Sequence, residues 1–450
     1  MSGVPLASGS RPDGIALPAA ALRLAPCDRL AIASCHRDDF LSIRLPFVGL
    51  SLPAHSQHIG DDTVTHSVIP AGLADEMIEI RHRIHAHPEL GFEEFATGDL
   101  VAEQLQSWGY TVHRGLGGTG VVAQLKVGDG KRRLGLRADM DALPIHEATG
   151  LPYQSTIAGK MHACGHDGHT AMLLAAAKHL ARERRFSGTL NLIFQPAEEG
   201  LGGAKKMLDE GLFEQFPCDA IFAMHNMPGF PTGKFGFLPG SFMASSDTVV
   251  IDVQGRGGHG AVPHRAIDPV VVCAQIVLAL QTIVSRNVSP LDMAIVTVGA
   301  IHAGEAPNVI PDRAQMRLSV RALKPDVRDL LETRIKEVVH AQAAVYGATA
   351  TIDYQRRYPV LVNDAEMTAF ARGVAREWVG EANLIDGMVP LTGSEDFAFL
   401  LEKRPGCYLI IGNGDGEGGC MVHNPGYDFN DAALPTGASY WVKLAEAFLL

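Results

Sequence analysis

The chain has 450 residues, of which 46% are hydrophobic and 20% are charged, so it can bury a large core and exceeds the length of most single domains. Its formal net charge of -12 argues against a nucleic-acid partner, because phosphate neutralisation needs a basic face. No run approaches the roughly 18 consecutive apolar residues of a membrane helix, and no signal-peptide pattern opens the chain. We therefore expect two domains, a cytoplasmic location and a small-molecule substrate, with neither nucleic acid nor membrane as a partner.

The seven cysteines are odd in number and scattered, and none forms a CxxC pair. This spacing predicts neither a disulfide framework nor a zinc finger. A lone cysteine is usually a small buried hydrophobe, and we interpret six of the seven in this way. Cys164 differs from these six because of the residues around it.

Residues 1–70 contain several prolines and no sustained helical or strand period, which predicts a disordered N-terminal extension. Sequence upstream of the true start codon would give the same pattern. From about Leu73, the stretch "LADEMIEIRHRIHAHPEL" repeats apolar residues at helical spacing before a proline. The folded region is therefore predicted to begin with a helix.

Short β-rich runs alternate with helical segments in the next part of the chain. The β-rich runs are "GVVAQL", "RLGLRA", "TLNLIF" and "DAIFAM", and the helical segments include "GHTAMLLAAAKHLARER" and "GAKKMLDEGL". This alternation predicts an α/β domain with a mostly parallel sheet and helices on both faces. Because ligands bind beyond the carboxyl ends of such strands, the residues that follow these runs are candidates for a functional site.

A different pattern occupies residues 246–356. It consists of a strand, a helix, two strands, a second helix and a fourth strand, from "TVVIDVQG" to "TATIDY". This order is typical of a ferredoxin-like α+β domain. The α/β character resumes with "CYLIIG" and a final helix. We therefore predict that residues 71–245 and 357–450 form one domain, into which residues 246–356 are inserted.

Residues of metal-ligand type cluster around the predicted strand ends. Thiolate, imidazole and carboxylate groups bind zinc and similar divalent ions, and a thiolate can bridge two ions. A single catalytic zinc usually takes three protein ligands, whereas two ions about 3.5 to 4 Å apart can share five, so we favour two metals. Adjacent side chains on extended backbone point to opposite sides, so one glutamate of "QPAEEG" can bind metal while the other binds water. The candidates are Cys164, His166, Glu198, Glu199, His225 and His423.

Further polar residues lie near this set or in the inserted domain. Asp139 and Asp141 in "LRADMDALP" share one side of a strand end, where they can orient ligand imidazoles. His259 lies in the glycine-rich stretch "GRGGHGAVPH", which allows close approach to a substrate. Asn308 can donate a hydrogen bond from its side-chain amide, and Arg321 can bind a carboxylate with two hydrogen bonds.

Eight motifs occur in an order that resembles bacterial hippurate hydrolases and plant auxin-conjugate amidohydrolases, within a larger group of dimetal aminoacylases and carboxypeptidases. They are "RHRIHAHPELGFEE", "LRADMDALP", "MHACGHDGHT", "FQPAEEGLGGAKKML", "GRGGHGAVPH", "NVIPDRA", "LTGSEDFAFL" and "MVHNPGYDF". The resemblance covers about residues 73–450. It implies a zinc-peptidase-like catalytic domain formed by residues 71–245 and 357–450, with residues 246–356 as a lid or dimerisation domain. It also implies a homodimer or a homotetramer.

The same resemblance implies roles for individual residues. Glu198 would be the general base for a metal-activated water, and Asn308 would help to bind the substrate. His259 would polarise the scissile carbonyl, in its own subunit or in that of a partner. The implied ions are Mn²⁺ or Zn²⁺, with Co²⁺ or Ni²⁺ as further candidates. A thiolate favours the softer zinc, whereas similar proteins often work with manganese, cobalt or nickel. The implied metal ligands are Cys164, His166, Glu199, His225 and His423.

The expected activity is hydrolysis of the amide bond of N-acyl amino acids such as hippurate, which gives an acyl acid and a free amino acid. Two close alternatives are a dimetal dipeptidase and an N-acetyl-diaminopimelate-type deacetylase. A third is an amidase with Cys164 as nucleophile, whose activity would survive removal of metal. A non-catalytic metal-dependent binding protein is disfavoured, because such a protein would not need Glu198.

Overall fold

A computed structural model of the chain describes residues 67–414 and 420–450. Almost all of the predicted extension, including Cys27 and Cys35, lies outside the described residues. The helices are α1 (Ala71–Ala86), α2 (Phe95–Ser107), α3 (His166–Glu183), α4 (Gly203–Asp209), α5 (Leu212–Gln215), α6 (Pro269–Arg286), α7 (Pro325–Val345), α8 (Ala365–Val379), α9 (Phe397–Leu401) and α10 (Leu434–Phe448).

The strands are β1 (Thr111–Leu116), β2 (Gly120–Val127), β3 (Arg133–Asp139), β4 (Gly188–Gln195), β5 (Ala220–Met227), β6 (Phe235–Gly236), β7 (Gly240–Met243), β8 (Ser246–Gln254), β9 (Gly258–His259), β10 (Ala294–Ala303), β11 (Val309–Ile310), β12 (Arg313–Ala322), β13 (Thr349–Tyr358), β14 (Leu361–Asn363) and β15 (Gly406–Gly412). They form two larger sheets and two short pairs.

The main sheet has seven strands in the order β1-β2-β4-β3-β5-β15-β6. Its four adjacent strands β4, β3, β5 and β15 are parallel. Strands β1 and β2 on one edge and β6 on the other are antiparallel to their neighbours. The predicted parallel sheet is thus confirmed for the centre, and antiparallel strands extend it at both edges.

Helices cover both faces of the main sheet, as predicted. Almost every residue of its four parallel strands is buried, which is typical of strands covered on both sides. Along β5, Phe222 and Met224 face a core that includes α1, α3 and α10, whereas Ile221 and Ala223 face a second core with α4, α5 and α9. This alternation leaves only the ends of the strands open to a ligand.

The second sheet is antiparallel, with the order β10-β12-β8-β13. Helices α6 and α7 cover one of its faces and form a separate core with it. The order of strands along the chain and in the sheet is that of a ferredoxin-like domain, so the predicted inserted α+β fold is confirmed. Strand β13 ends at Tyr358, two residues beyond the predicted boundary at 356. We call the part of the chain from β8 to β13 the lid.

Helix α6 is the one described helix that is long and apolar enough to cross a membrane by length and composition. One side of this helix, with Val272, Ile276, Leu280 and Ile283, is buried against the lid sheet. A helix that packs one face into a globular core meets the same criteria, so this observation alone is weak evidence for a membrane span.

The described cysteines contain no disulfide. Cys218, Cys273 and Cys407 are buried and lie among hydrophobic side chains, and Cys420 is partly buried. These four residues behave as small apolar side chains, whereas Cys164 has a different environment.

Candidate active site

The carboxyl ends of three parallel strands bring polar residues to one edge of the main sheet. Strand β3 ends at Asp139, β4 ends at Gln195 just before the two glutamates, and His225 lies near the end of β5. Helix α3 packs against β3 and begins with His166. The polar residues of "MHACGHDGHT" and "QPAEEG" therefore meet at this edge.

The turn before α3 requires a glycine. Gly165 has a φ of 89°, in the left-handed region. A Cβ at this position would lie 2.3 Å from Asn226 Nδ2 and 2.5 Å from the hydroxyl oxygen of Tyr427. The turn therefore depends on the absence of a side chain, and it places Cys164 and His166 on either side of the glycine.

Two further residues at this edge have unusual backbone conformations. Ala197, which precedes Glu198, has a φ of 54°, and His423 has a φ of 66°. Few non-glycine residues adopt such values, and those that do cluster at functional sites. The backbone N–H of His423 donates to the Ala163 carbonyl at 2.7 Å, which ties the C-terminal loop to the "MHACGH" turn.

Five ligand-type side chains form two sets that share the sulfur of Cys164. One set adds His166 and His225, and the other adds Glu199 and His423. Within each set, the ligand atoms lie within 4.8 Å of one another. Cys164 Sγ lies 3.3 Å from His225 Nε2, and Glu199 Oε1 lies 3.2 Å from His423 Nε2. The arrangement has three donors for each of two ions, with the thiol in the bridging position.

Hydrogen bonds determine which nitrogen of each buried histidine faces this cluster. His166 Nδ1 donates to the Asp141 carbonyl at 2.8 Å, and His225 Nδ1 donates to the Asn226 carbonyl at 2.5 Å. In a neutral imidazole the Nε2 atom then carries the lone pair, as a metal-binding imidazole requires. Although burial lowers the pKa of His166, the carboxylates of Asp139 and Asp141 raise it to about 10, so metal binding at this ring displaces a proton. His166 Nε2 is buried and has no hydrogen-bond partner among the described residues. A buried ring nitrogen without a partner, beside the thiol and a second imidazole, fits a metal site.

Burial changes the proton affinities of these groups. It lowers the pKa of His225 well below its usual value, with a further contribution from His169, so the imidazole is neutral. Burial also raises the pKa of the Cys164 thiol well above its usual value, and the neighbouring Glu199 and Glu198 add to this shift. A thiolate at this position therefore requires compensating positive charge, which a divalent ion supplies.

Asp141 holds two of the ligand residues in place. Besides its carbonyl contact with His166, its Oδ1 lies 3.2 Å from His166 Nδ1. Its Oδ2 accepts a hydrogen bond from the backbone N–H of Glu199 at 2.9 Å. Asp141 thus links one residue of each set, in the way that a carboxylate outside the ligand shell orients metal ligands.

Asp139 lies between two histidines, and its Oδ2 is 3.7 Å from Nε2 of the ligand residue His166. Its Oδ1 accepts from His169 Nδ1 at 2.6 Å, and His169 Nε2 in turn accepts from the backbone N–H of Asn226 at 3.1 Å. Both ring nitrogens of His169 are therefore occupied, and neither set that shares Cys164 includes this histidine.

Glu198 is buried next to the ligand sets but belongs to neither set that shares the thiol. Its Oε1 accepts a hydrogen bond from the backbone N–H of Asp396 at 3.3 Å, and its carbonyl accepts from the Tyr358 hydroxyl at 2.5 Å. Burial, together with the nearby Glu395 and Glu199, raises the pKa of Glu198 well above its usual value. A carboxyl in such surroundings is suited to accept and return a proton.

A buried arginine, which the sequence analysis did not single out, holds the residues around Glu198. Arg137 donates to Gln195 at 2.9 Å, to Asp139 at 2.6 Å, to Glu395 at 2.9 Å and to Asp396 at 3.2 Å. The guanidinium and all three carboxylates are almost completely buried. This network fixes the backbone of Asp396, whose N–H contacts the proposed base.

A cleft of about 920 Å³ separates the ligand sets from the uncovered face of the lid sheet. Cys164, Glu198 and His225 line the side of the cleft that faces the main sheet. Arg321, on β12, lines the opposite side, and its guanidinium donates to the Thr392 carbonyl at 3.0 Å. Of the three lid residues predicted for the site, Arg321 is thus at the cleft.

The structure does not bring His259 and Asn308 to the ligand sets. Both lie at the short pair formed by β9 and β11, where the Gly260 N–H donates to the Asn308 carbonyl at 2.8 Å. Both side chains are exposed, and neither lines the cleft. The two predicted lid residues are therefore close to each other, at a distance from the ligand sets.

Comparisons with known proteins agree with this arrangement. The sequence model of peptidase family M20/M25/M40 matches residues 135–447. The chain is 48% identical to the hippurate hydrolase of Campylobacter jejuni over 84% of this chain and 97% of that protein. It is 39% identical to the IAA-amino acid hydrolase ILR1-like 2 of Arabidopsis thaliana, over 91% of this chain and 94% of that one.

A solved structure shares the fold at 33% sequence identity. It is that of the YxeP protein of Bacillus subtilis, described as a dinuclear metal-binding peptidase of the M20 family. The TM-score is 0.74, and the match covers 84% of this chain and 99% of that chain.

Proposed function

Because the chain belongs to peptidase family M20/M25/M40, we propose that it is a metal-dependent amidohydrolase that cleaves the amide bond of N-acyl amino acids. The products are an acyl acid and a free amino acid. The observation that carries this proposal is the pair of three-ligand sets that share the Cys164 sulfur, with the carboxyl of Glu198, which belongs to neither of these sets, beside them.

The donors suit two divalent ions, with Zn²⁺ or Mn²⁺ favoured and Co²⁺ or Ni²⁺ as alternatives, because the sets combine a soft thiolate with imidazole and carboxylate. Cys164, His166 and His225 would hold one ion, and Cys164, Glu199 and His423 would hold the other. Bound there, the ions would polarise the amide carbonyl and lower the pKa of a water molecule.

Glu198 moves the proton. Its carboxylate takes a proton from the attacking water as the new C–O bond forms at the amide carbonyl. When the C–N bond breaks, the same carboxyl returns this proton to the leaving amine, so the amino acid departs as a neutral amine. Glu198 is placed for this exchange, because its carboxyl lies beside both ligand sets that share Cys164 but belongs to neither.

Residues of the lid complete the site. Arg321 binds the carboxylate of the substrate's amino acid, since its guanidinium faces the cleft and can make two parallel hydrogen bonds. His259 and Asn308 act on the scissile carbonyl and on the substrate after a movement of the lid, or from a partner subunit in a homodimer or homotetramer. Their exposure on one short β-pair supports such a joint role.

The test is release of glycine from hippurate by the purified protein, before and after chelation, and again after addition of Mn²⁺ or Zn²⁺. We expect activity that disappears with the chelator and returns with metal. Activity that survives complete removal of metal would contradict the proposal and favour Cys164 as a nucleophile. If the metal-loaded protein hydrolyses neither hippurate nor other N-acyl amino acids, the proposed activity is wrong.

A further inference from the structure

The lid sheet has one covered face and one face that looks into the cleft. Successive residues of a strand point to opposite faces. On β8, Asp247 and Val249 are buried towards the helices, whereas Ser246 and Thr248 line the cleft. The hydroxyl of Ser319 and the guanidinium of Arg321, on the neighbouring β12, line it as well. The cleft side of the lid therefore presents hydroxyl groups and a guanidinium, together with the apolar side chain of Ile295 on β10.

A second arginine also reaches the cleft. The pairing of β13 with β8 shifts between Arg356 and Tyr358. Arg356 is directed towards α7, where it pairs with Asp329 and Glu332. Arg357 lines the cleft instead, and its guanidinium donates to Gln355 at 2.8 Å. The two consecutive guanidinium groups therefore have different surroundings, and only that of Arg356 pairs with carboxylates.

Arg357 and Arg321 are both available to an anion. Within residues 67–414 and 420–450, neither guanidinium forms an ion pair with a carboxylate, and their contacts are with neutral oxygens. Strands β12 and β13 lie on either side of β8. The two arginines are thus separated by two strand spacings, or about 10 Å between their backbones.

The charges in the cleft are unevenly distributed. The carboxylates that line it, Glu198, Glu199 and Glu395, all belong to the side with the metal-ligand sets. The two arginines lie on the lid side. An anionic group that does not bind metal is repelled from the first side and attracted to the second, and a partly enclosed cleft strengthens both effects.

The single carboxylate of hippurate accounts for one arginine. We propose that Arg357 binds a second carboxylate, and that the enzyme prefers N-acyl amino acids that carry two carboxylates. This inference rests on the proposed amidohydrolase function and adds the substrate class. The second carboxylate belongs either to the released amino acid, as in glutamate, or to the acyl group, as in a succinyl group. Both sources give the same contact with the guanidinium.

The test compares substrates that differ only in one charge. For the amino acid, the pair is N-benzoyl-L-glutamate and N-benzoyl-L-glutamine. For the acyl group, it is N-succinylglycine and N-succinamoylglycine. The ratio of kcat/KM within each pair is measured for the metal-loaded wild type, for Arg357→Gln and for Arg357→Lys. Arg356→Gln is the matched control, since its side chain points to the other face of the same strand.

We expect the wild type to prefer the acid in at least one pair by about tenfold or more, the value of one charge-assisted contact. The pair that shows this preference identifies the source of the second carboxylate. Arg357→Gln abolishes the preference, Arg357→Lys retains part of it because the charge remains, and Arg356→Gln leaves it unchanged. The proposal is overturned if the wild type prefers neither acid, or if Arg357→Gln retains the full preference.

A binding measurement separates this inference from the proposed function. Calorimetric titration of metal-loaded Glu198→Gln with the same four compounds gives their affinities without turnover. If the wild type hydrolyses neither hippurate nor any of the four compounds, the proposed function is wrong, yet the affinity ratios still show whether Arg357 binds a second carboxylate. If hippurate is hydrolysed but acid and amide bind and react equally, the proposed function stands and only the role of Arg357 is wrong.

Discussion

The two sides of the cleft hold their polar residues in different ways. On the side of the main sheet, His166 and His225 are buried and each has one ring nitrogen fixed by a backbone carbonyl. In the lid, His259 lies outside the cleft lining and is exposed, and the described contact of its ring is with the nearby Ala261 N–H at 3.0 Å. The metal-ligand residues are thus held in place by buried hydrogen bonds, whereas the predicted lid residue His259 has only a local contact.

This difference predicts which variants of the protein bind metal more weakly and which variants keep their metal but turn over substrate more slowly. Changes in the buried residues around the ligand sets should alter metal affinity. Changes in the exposed lid residues should leave metal binding intact. Glu198 provides an internal check, because it is buried with the ligands but belongs to neither set that shares Cys164.

The largest effect is expected for Glu198→Gln. Loss of a general base lowers kcat by about 10²–10⁴-fold. Both ions stay bound, because Glu198 is a ligand in neither of the two sets that contain Cys164. The measurement is steady-state hydrolysis together with elemental analysis of the purified variant. Glu377→Gln, on an exposed part of α8, is the control and should behave as wild type. Loss of metal in step with loss of activity would show instead that Glu198 is a ligand.

A smaller effect is expected for His259→Ala in the lid. If the imidazole stabilises the oxyanion, kcat falls by about 10²–10³-fold, as for other donors of this kind, with unchanged metal content and thermal stability. His264→Ala, an exposed histidine in the same loop region, is the matched control. Equal rates for both variants would contradict a role of His259 in the reaction.

Asp141→Asn should act through the metals. Loss of a carboxylate that orients metal ligands usually lowers metal affinity by about 10–100-fold, so the variant needs a higher concentration of metal for half-maximal activity. At saturating metal, most of the turnover returns. A variant with wild-type metal affinity and a permanently low kcat would mean that Asp141 acts on the substrate rather than on His166 and Glu199.

The smallest effect on turnover is expected for Arg328→Met in the lid core. Arg328 and Asp247 form a buried pair that lies away from the ligand sets. Removing one partner of such a pair lowers the free energy of unfolding by about 3–5 kcal/mol, without a comparable loss of activity in the folded protein. Arg334→Met, which breaks a half-exposed pair on the same helix, should cost only about 0–1 kcal/mol. Urea unfolding of both variants makes the comparison, and equal midpoints would contradict it.

The sequence was sufficient for elements with a clear hydrophobic period. The parallel strands, α3 and the strand-helix order of the lid were predicted close to their observed bounds. Helices α2 and α8 were missed. Each contains an internal glycine, Gly98 or Gly373, which weakens the helical signal although packing against the main sheet still stabilises the helix.

The candidate site was predictable where its residues occur in local motifs. Cys164 and His166 share one turn, and Glu198 and Glu199 are adjacent, so their residue types alone indicated a metal site. Long-range partners were not predictable in this way. Arg137 and Glu395 are separated by 258 residues, and nothing in either motif shows that one arginine holds three carboxylates. Likewise, the face to which Arg357 points depends on an irregular strand pairing that the sequence does not reveal.

The most direct test of the account is the number of divalent ions bound per chain in three forms of the protein, measured by elemental analysis after removal of free metal. The shared thiol predicts two ions in the wild type, about one in His423→Ala, which lacks a ligand of one set, and far fewer than one in Cys164→Ala, which lacks a ligand of both sets. Retention of one full ion by Cys164→Ala, with the same content as His423→Ala, would contradict a thiolate shared between two metals.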